Sequence, residues 1–283
     1  MPVSSLAMDV PALLRRYGLR PNKRLGQNFL VDPSALQRVV EAAEIKASDA
    51  VLEIGAGLGS LTRLLAERAS KVVAVELDQG LIPALSETLV SCPNAKVIHG
   101  DILALNPDAL MDKSGYLVVA NIPYYITSAL IRHLLEASLA PRRLVLTVQR
   151  EVGERICAAP GEMSLLALSV QVYGLPRQIT RIPAGAFYPA PKVDSMVVRV
   201  DLHAQPRVPP ALTEDFFRLA KAGFSQKRKT LRNALSGGMH WSPEKARDIL
   251  QAARIEPQRR AETLAVEEWV RLAEQVQALP PDR

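Results

Sequence analysis

The stretch Leu117-Val118-Val119-Ala120-Asn121-Ile122-Pro123-Tyr124-Tyr125 carries four apolar residues into an amide and two aromatic rings. The apolar run reads as a buried parallel strand, and it must stop at Pro123, which has no backbone donor. Asn121, Tyr124 and Tyr125 then stand beyond its carboxyl end, where open α/β sheets bind ligands. An amide oxygen can accept from an amine, and a tyrosine ring can stack on a planar base. A proline turn closed by two core tyrosines would use the same residues, so this stretch alone leaves both readings open.

A second group narrows the choice. Glu53-Ile54-Gly55-Ala56-Gly57-Leu58-Gly59 follows a short apolar strand and opens a helix. Glycines here let the backbone turn sharply and approach a ligand closely. Glu76 closes the next strand, 21 positions after Gly55, where a carboxylate can accept from both hydroxyls of a ribose. Asp101 ends a third strand, where a carboxylate can accept from an adenine amine. Each acid alone could be a solvated loop residue; together, at three successive strand ends, they point to an adenosine-type cofactor. Dinucleotide folds usually place their third glycine one step later. The compressed G-x-G-x-G form, preceded by an acid, is common among enzymes that use S-adenosylmethionine, whose carboxylate can sit near the positive end of the following helix.

These residues need a scaffold, and its elements follow from periodicity. Strands are expected at 50–54, 72–75, 96–99, 117–120 and 144–148, with helices at 61–69, 79–90 and 127–138 between them. This alternation predicts an α/β fold, a parallel sheet with helices on both faces. Capped starts at Asp9-Val10-Pro11 and Asp32-Pro33 predict two further helices ahead of it, the first ending near Gly18. Leu166–Val172 and Val193–Leu202 read as an antiparallel hairpin at a sheet edge. His203–Pro210 holds three prolines and reads as a linker, and beyond it helices are expected at 213–222, 229–235, 243–253 and 266–279. The expected domains are a basic N-terminal extension (1–24), a catalytic domain (25–205) and a small all-α domain (206–283).

With 283 residues and 48% hydrophobic content the chain suits a soluble globular protein. No apolar run approaches the roughly 20 residues that span a bilayer, and no secretory leader is expected. The N-terminus is arginine-bearing and poor in acid, so a transit segment stays open. Cys92 and Cys157 fit neither a disulfide framework nor a zinc site, so a cytoplasmic location is expected, without a metal. A net charge of +6 is compatible with a nucleic-acid partner.

Five segments, Leu25–Leu30 (LGQNFL), Glu53–Gly59 (EIGAGLG), Gly100–Leu103 (GDIL), Asn121–Thr127 (NIPYYIT) and Phe187–Ser195 (FYPAPKVDS), together resemble the rRNA adenine dimethyltransferases. A basic helix at Phe224–Leu235 (FSQKRKTLRNAL) is similar to the small-subunit branch of that family, the KsgA/RsmA type. The resemblance implies a class I S-adenosylmethionine-dependent methyltransferase, Rossmann-like with a mostly parallel seven-stranded sheet, followed by a small all-α C-terminal domain. It implies dimethylation of two adjacent adenines in the 3′-terminal hairpin loop of 16S rRNA, late in small-subunit assembly. The partner is then 16S rRNA in immature 30S subunits, with no membrane, and the protein is expected to be a monomer. The cofactor contacts it implies are Asn28, Leu30, Gly55, Gly57, Glu76, Asp101, Ile102 and Asn121. The family more often has Leu where Ile122 stands and Asn where Tyr125 stands, so no amide role is carried to Tyr125.

The expected chemistry is attack of an adenine exocyclic amine, a poor nucleophile, on a sulfonium methyl. Asn121 Oδ1 can take one amine hydrogen and a backbone carbonyl near Ile122 or Pro123 the other, so positioning and electrostatics supply most of the acceleration. Tyr124 and Phe187 are candidates to stack on the target base, each worth about 1–3 kcal/mol. Phe187 would equally serve as a core aromatic. No strong general base is expected, and His99, His133, His203 and His240 are scattered and read as structural or surface residues. From Arg218 to Arg232 there are six basic residues and no acid. Lys221, Lys227, Arg228, Lys229 and Arg232 are the candidate RNA contacts, and Arg15–Arg24 is a second basic run. The alternatives are a large-subunit adenine methyltransferase of the macrolide-resistance type, a non-catalytic assembly factor on the same fold, and a nicotinamide dehydrogenase.

Overall fold

The strands are β1 (Phe29–Leu30), β2 (Ala50–Ile54), β3 (Lys71–Glu76), β4 (Ala95–His99), β5 (Leu117–Asn121), β6 (Arg143–Gln149), β7 (Gly174–Ile182), β8 (Phe187–Tyr188) and β9 (Ser195–Leu202). The computed structural model describes residues 8–122, 127–135 and 137–279. Seven strands make one sheet in the order β4-β3-β2-β5-β6-β9-β7, and β1 pairs with β8 apart from it. β2 to β6 are mutually parallel, and β9 runs antiparallel to β6. The parallel strands at the centre are buried on both faces, Val51, Val72, Val118 and Leu144 being fully enclosed. That burial is why they read as unbroken apolar runs.

The helices are α1 (Val10–Arg16), α2 (Pro33–Ala43), α3 (Ser60–Ala66), α4 (Ile82–Thr88), α5 (Pro107–Leu110), α6 (Thr127–Leu135), α7 (Arg150–Ile156), α8 (Leu165–Gln171), α9 (Thr213–Phe224), α10 (Leu231–Met239), α11 (Pro243–Ala252) and α12 (Val266–Gln277). Both expected caps form: Asp9 accepts from the Ala12 amide at 2.9 Å and Asp32 from the Ala35 amide at 2.6 Å. Leu166–Val172, expected to be extended, is helical as α8. Ser164 accepts from the Ala167 amide at 3.1 Å, and the leucines and alanine that follow favour a helix once it is capped. The strand at that edge of the sheet is instead β7. It carries Pro176 and is largely exposed, so it lacks the apolar alternation that marks a strand.

The chain divides into two units, Met1–Gly153 with Pro176–Leu202 and Glu154–Leu175 with His203–Arg283. In the first, α2 and α3 pack on the sheet through Leu36, Val39, Val40, Leu64 and Leu65. α1 covers a smaller cluster with Val10 and Leu14 against Phe29, Leu58, Leu81 and Ala84. Glu87 of α4 clamps α1 in place by accepting from Arg16 and Tyr17. The second unit closes around Trp269 and Phe216, and Leu168 and Val172 belong to its core. A Cβ at Gly223 of α9 would lie 2.4 Å from the Trp269 ring, so only glycine lets the two helices meet there. No helix among the described residues is long and apolar enough to cross a membrane.

Candidate active site

The ends of β2, β3, β4 and β5 open on one pocket, and the N-terminal segment Leu25–Phe29 forms its facing wall. Gly55, Gly57 and Gly59 have φ of 79°, 60° and 89°, a region that disfavours any side chain. All three are also crowded, a Cβ at Gly59 meeting Leu85 and Thr88 at 3.0 Å. A Cβ at Gly55 would lie 3.2 Å from the Asn121 carbonyl oxygen, and one at Gly57 would lie 3.0 Å from the Phe29 ring. The turn is pinned to β3 by Gly55 and Ala56 amides donating to the Val75 carbonyl at 2.9 and 3.2 Å.

Glu76 completes that pin. Its Oε2 accepts from the Gly57 amide at 2.7 Å and its Oε1 from the Asp78 amide at 2.8 Å. Burial raises its pKa above the usual carboxyl range, and the two amide donors pull the other way. Each carboxylate oxygen keeps a further lone pair for a donor in the pocket. Asp101 is exposed at the pocket edge, its Oδ1 taken by the Leu103 amide at 2.9 Å. Leu77 follows Glu76 and stays 42% exposed, an apolar side chain held open beside the acids. Glu76 and Asp101 are the titratable residues of the described lining, and no histidine stands there.

Glu53 sits behind the turn, 1% exposed, its Oε2 without a hydrogen-bond partner. Burial pushes its pKa up to about 8, and the nearby Thr62 hydroxyl offsets only part of that cost.

Asn121 ends β5 opposite Thr147 of β6 and lines the pocket. Its Nδ2 donates to the main-chain oxygen of Asn28 at 3.0 Å. Asn28, Gly55, Gly57, Glu76, Asp101, Ile102, Asn121 and Phe187 all line this one pocket. Leu30 does not line it: it pairs with Phe187 across β1 and β8 and packs in the sheet core. Phe187 is 5% exposed and packs in that same core, so the pocket meets a core aromatic rather than a free ring face. Tyr124 and Tyr125 lie outside the described residues. The wall also holds Gln27, whose Nε2 donates to Asp78 Oδ2 at 2.7 Å. Gln27 lies inside the LGQNFL segment, but nothing in its residue type distinguishes it from its neighbours there.

In the helical unit the basic residues are not on one helix. α9 ends at Phe224 and α10 starts at Leu231, so Lys227, Arg228 and Lys229 are exposed on the turn between them. The start of α10 is set by its neighbours: the Leu231 amide donates to the Arg259 carbonyl at 2.7 Å and the Arg232 amide to the Pro257 carbonyl at 3.2 Å. Lys221 is exposed on α9, and Arg232 donates to the Asn233 side chain at 3.3 Å. Arg218 is paired with Asp215 at 2.6 Å.

The glycine cradle, a buried carboxylate with spare acceptor capacity, an exposed carboxylate and apolar walls fit an adenosine-containing group. Comparison with known proteins agrees. The family model described as ribosomal RNA adenine dimethylase matches residues 18–278. A ribosomal RNA small subunit methyltransferase A of Dehalococcoides mccartyi is 46% identical over 95% of this chain and 92% of its own. One of Alkaliphilus metalliredigens is 40% identical over 94% and 96%. Among solved structures, a dimethyladenosine transferase from Plasmodium falciparum has a TM-score of 0.75 at 26% identity, covering 86% of this chain and 95% of that one. The 23S rRNA methyltransferase ErmE has a TM-score of 0.72 at 28% identity, covering 88% of this chain and all of that one (100%). The chain therefore belongs to the ribosomal RNA adenine dimethylase family, enzymes that dimethylate adenines of ribosomal RNA.

Proposed function

We propose that the enzyme dimethylates two adjacent adenines in the 3′-terminal hairpin loop of 16S rRNA in immature 30S subunits, in the cytoplasm and as a single chain. S-adenosylmethionine is the proposed cofactor, and when bound it supplies an activated methyl group. The observation that carries this reading is Asn121: an amide acceptor on the rim of a pocket whose glycine cradle and acids suit an adenosine. The names of relatives 40% and 46% identical support the small-subunit substrate.

Glu76 would hold the ribose hydroxyls with the lone pairs its two amide donors leave free, and Asp101 would accept from the cofactor's adenine amine. Asn121 Oδ1 would accept one hydrogen of the target amine and the Ile122 carbonyl the other, which turns the nitrogen lone pair toward the pocket. After the first methyl only one hydrogen remains, and Asn121 still accepts it. A loop adenine costs less to extract than a paired one. Lys221 and the turn Lys227–Lys229 would contact phosphates, which positions the RNA without reading its sequence. Labelled S-adenosylmethionine supplied with unmethylated 30S particles, 50S particles and naked rRNA, followed by mapping of the modified bases, tests the proposal. Label on two adjacent adenines of the 16S 3′ hairpin is expected. Label confined to 50S particles, or none, overturns it.

A further inference from the structure

Asn28 and Asn121 lie 93 positions apart, yet the Asn121 side-chain amide donates to the Asn28 main-chain oxygen at 3.0 Å. A carbonyl oxygen accepts and cannot donate. The contact therefore fixes which end of the Asn121 amide faces the wall. Its NH2 end is taken, and Oδ1, its acceptor, is left over. Turning the amide through 180° would set two oxygens against each other and leave both without a donor.

The carbonyl that does this is itself held. Asn28 Nδ2 donates to the Gly26 carbonyl at 3.0 Å. Gln27 accepts from the Asn22 amide at 2.7 Å and donates to Asp78 at 2.7 Å. Asp78 donates its amide to Glu76 at 2.8 Å. Hydrogen bonds thus link Glu76 to Asp78 and Asp78 to Gln27, the backbone joins Gln27 to Asn28, and the Asn28 carbonyl meets Asn121.

We propose that the Asn28 main-chain carbonyl is a positioning group for methyl transfer, orienting Asn121 so that Oδ1 meets the adenine amine, and that Gln27 keeps this carbonyl in place through Asp78. The inference rests on the reading of Asn121 as the amine acceptor. The seating of the N-terminal wall and the orientation of the acceptor are then one event.

The variant Asn121→Asp tests it. An ionised carboxylate has no donor for the Asn28 carbonyl. A protonated one donates through its O–H and still offers its other oxygen to the amine. Pairing with a carbonyl favours the neutral form and raises the pKa of the introduced carboxyl. Single-turnover methyl transfer to unmethylated 30S particles is expected to be about tenfold or more slower than wild type near pH 8.5, the loss of one hydrogen bond at the reacting group. The ratio of variant to wild-type rate is expected to rise severalfold as the pH falls to about 5.5. Among the described residues, Glu53, Glu76 and Asp101 are the titratable groups that line the same pockets as Asn121, and dividing by the wild-type rate removes any contribution common to both proteins. Calorimetric binding of S-adenosylmethionine, close to wild type at both pH values, shows that the pocket is intact. A ratio that does not change with pH overturns the proposal, whether the variant is fast or slow.

Gln27→Ala supplies the second arm. Near pH 8.5 it is expected to lower kcat with KM for the particles unchanged, and to cause no further loss in the Asn121→Asp background, whose ionised carboxylate no longer donates to the Asn28 carbonyl. Equal losses in both backgrounds remove Gln27 from the chain. Full activity of Asn121→Ala would instead overturn the acceptor reading itself, which separates the two failures.

Discussion

The Gly57 amide lies 2.7 Å from Glu76 Oε2, so the carboxylate at the end of β3 holds the middle of the glycine turn that follows β2. One side chain thereby shapes the cradle and also lines the pocket, where it is proposed to hold a ribose.

Glu76→Ala removes both roles. S-adenosylmethionine binding is expected to weaken by about tenfold to a hundredfold, the loss of one or two hydrogen bonds to a charged acceptor. Isothermal calorimetry measures it, and an unchanged Kd would contradict the assignment.

Gly57→Ala tests the cradle without touching a charge. The position has φ of 60°, and the new methyl would meet the Phe29 ring at 3.0 Å. A loss of stability of about 1–2 kcal/mol is expected from the left-handed backbone, with weaker cofactor binding as the turn or Phe29 gives way. Thermal unfolding and calorimetry read the two effects. A variant with wild-type Tm and Kd would show that the turn tolerates a side chain.

The glycine turn, Glu76, Asp101 and the β5 end were legible because buried parallel strands leave unbroken apolar runs with chemistry at their carboxyl ends. The strand Leu117–Asn121, whose first four residues are fully enclosed, follows directly from that pattern and runs one residue past the expected 117–120. β7 was not legible, since an exposed edge strand has no apolar face to betray it. α8 was misread because a short apolar run suits strand and helix alike until the Ser164 cap decides it. The basic segment 224–235 reads as one helix by composition, whereas contacts with the distant Pro257–Arg259 segment start α10 only at Leu231. The Asn28–Asn121 contact leaves no trace in the sequence, because the accepting group is a main-chain oxygen that every residue has.

The buried Glu53 makes stability depend on pH. Its folded pKa of about 8 lies above the ordinary glutamate value of 4.5, so the folded protein holds a proton that the unfolded chain has lost across that window. Stability contributed by the neutral form is complete below the lower value and is lost as the pH rises through the upper one. Glu53→Gln cannot ionise. Its Tm relative to wild type is expected to rise between about pH 5 and pH 9, by an amount corresponding to on the order of a few kcal/mol. Equal differences in Tm at both pH values would place Glu53 in a solvated site.

The exposed turn between α9 and α10 carries the electrostatic prediction. Lys227→Ala with Arg228→Ala is expected to weaken binding to unmethylated 30S particles and to make the slope of log K against log salt shallower by about 1–2. Filter binding over a salt series measures it. An unchanged slope would remove this turn from the RNA interface.

Asn121 is the group proposed to hold the reacting amine. The most direct test is single-turnover methyl transfer by Asn121→Ala to unmethylated 30S particles, with S-adenosylmethionine affinity measured on the same preparation. The predicted result is a loss of transfer of about a hundredfold or more with cofactor binding largely retained, as expected when a group aimed at the reacting atom is removed. Transfer at the wild-type rate, with the cofactor bound as before, would contradict it.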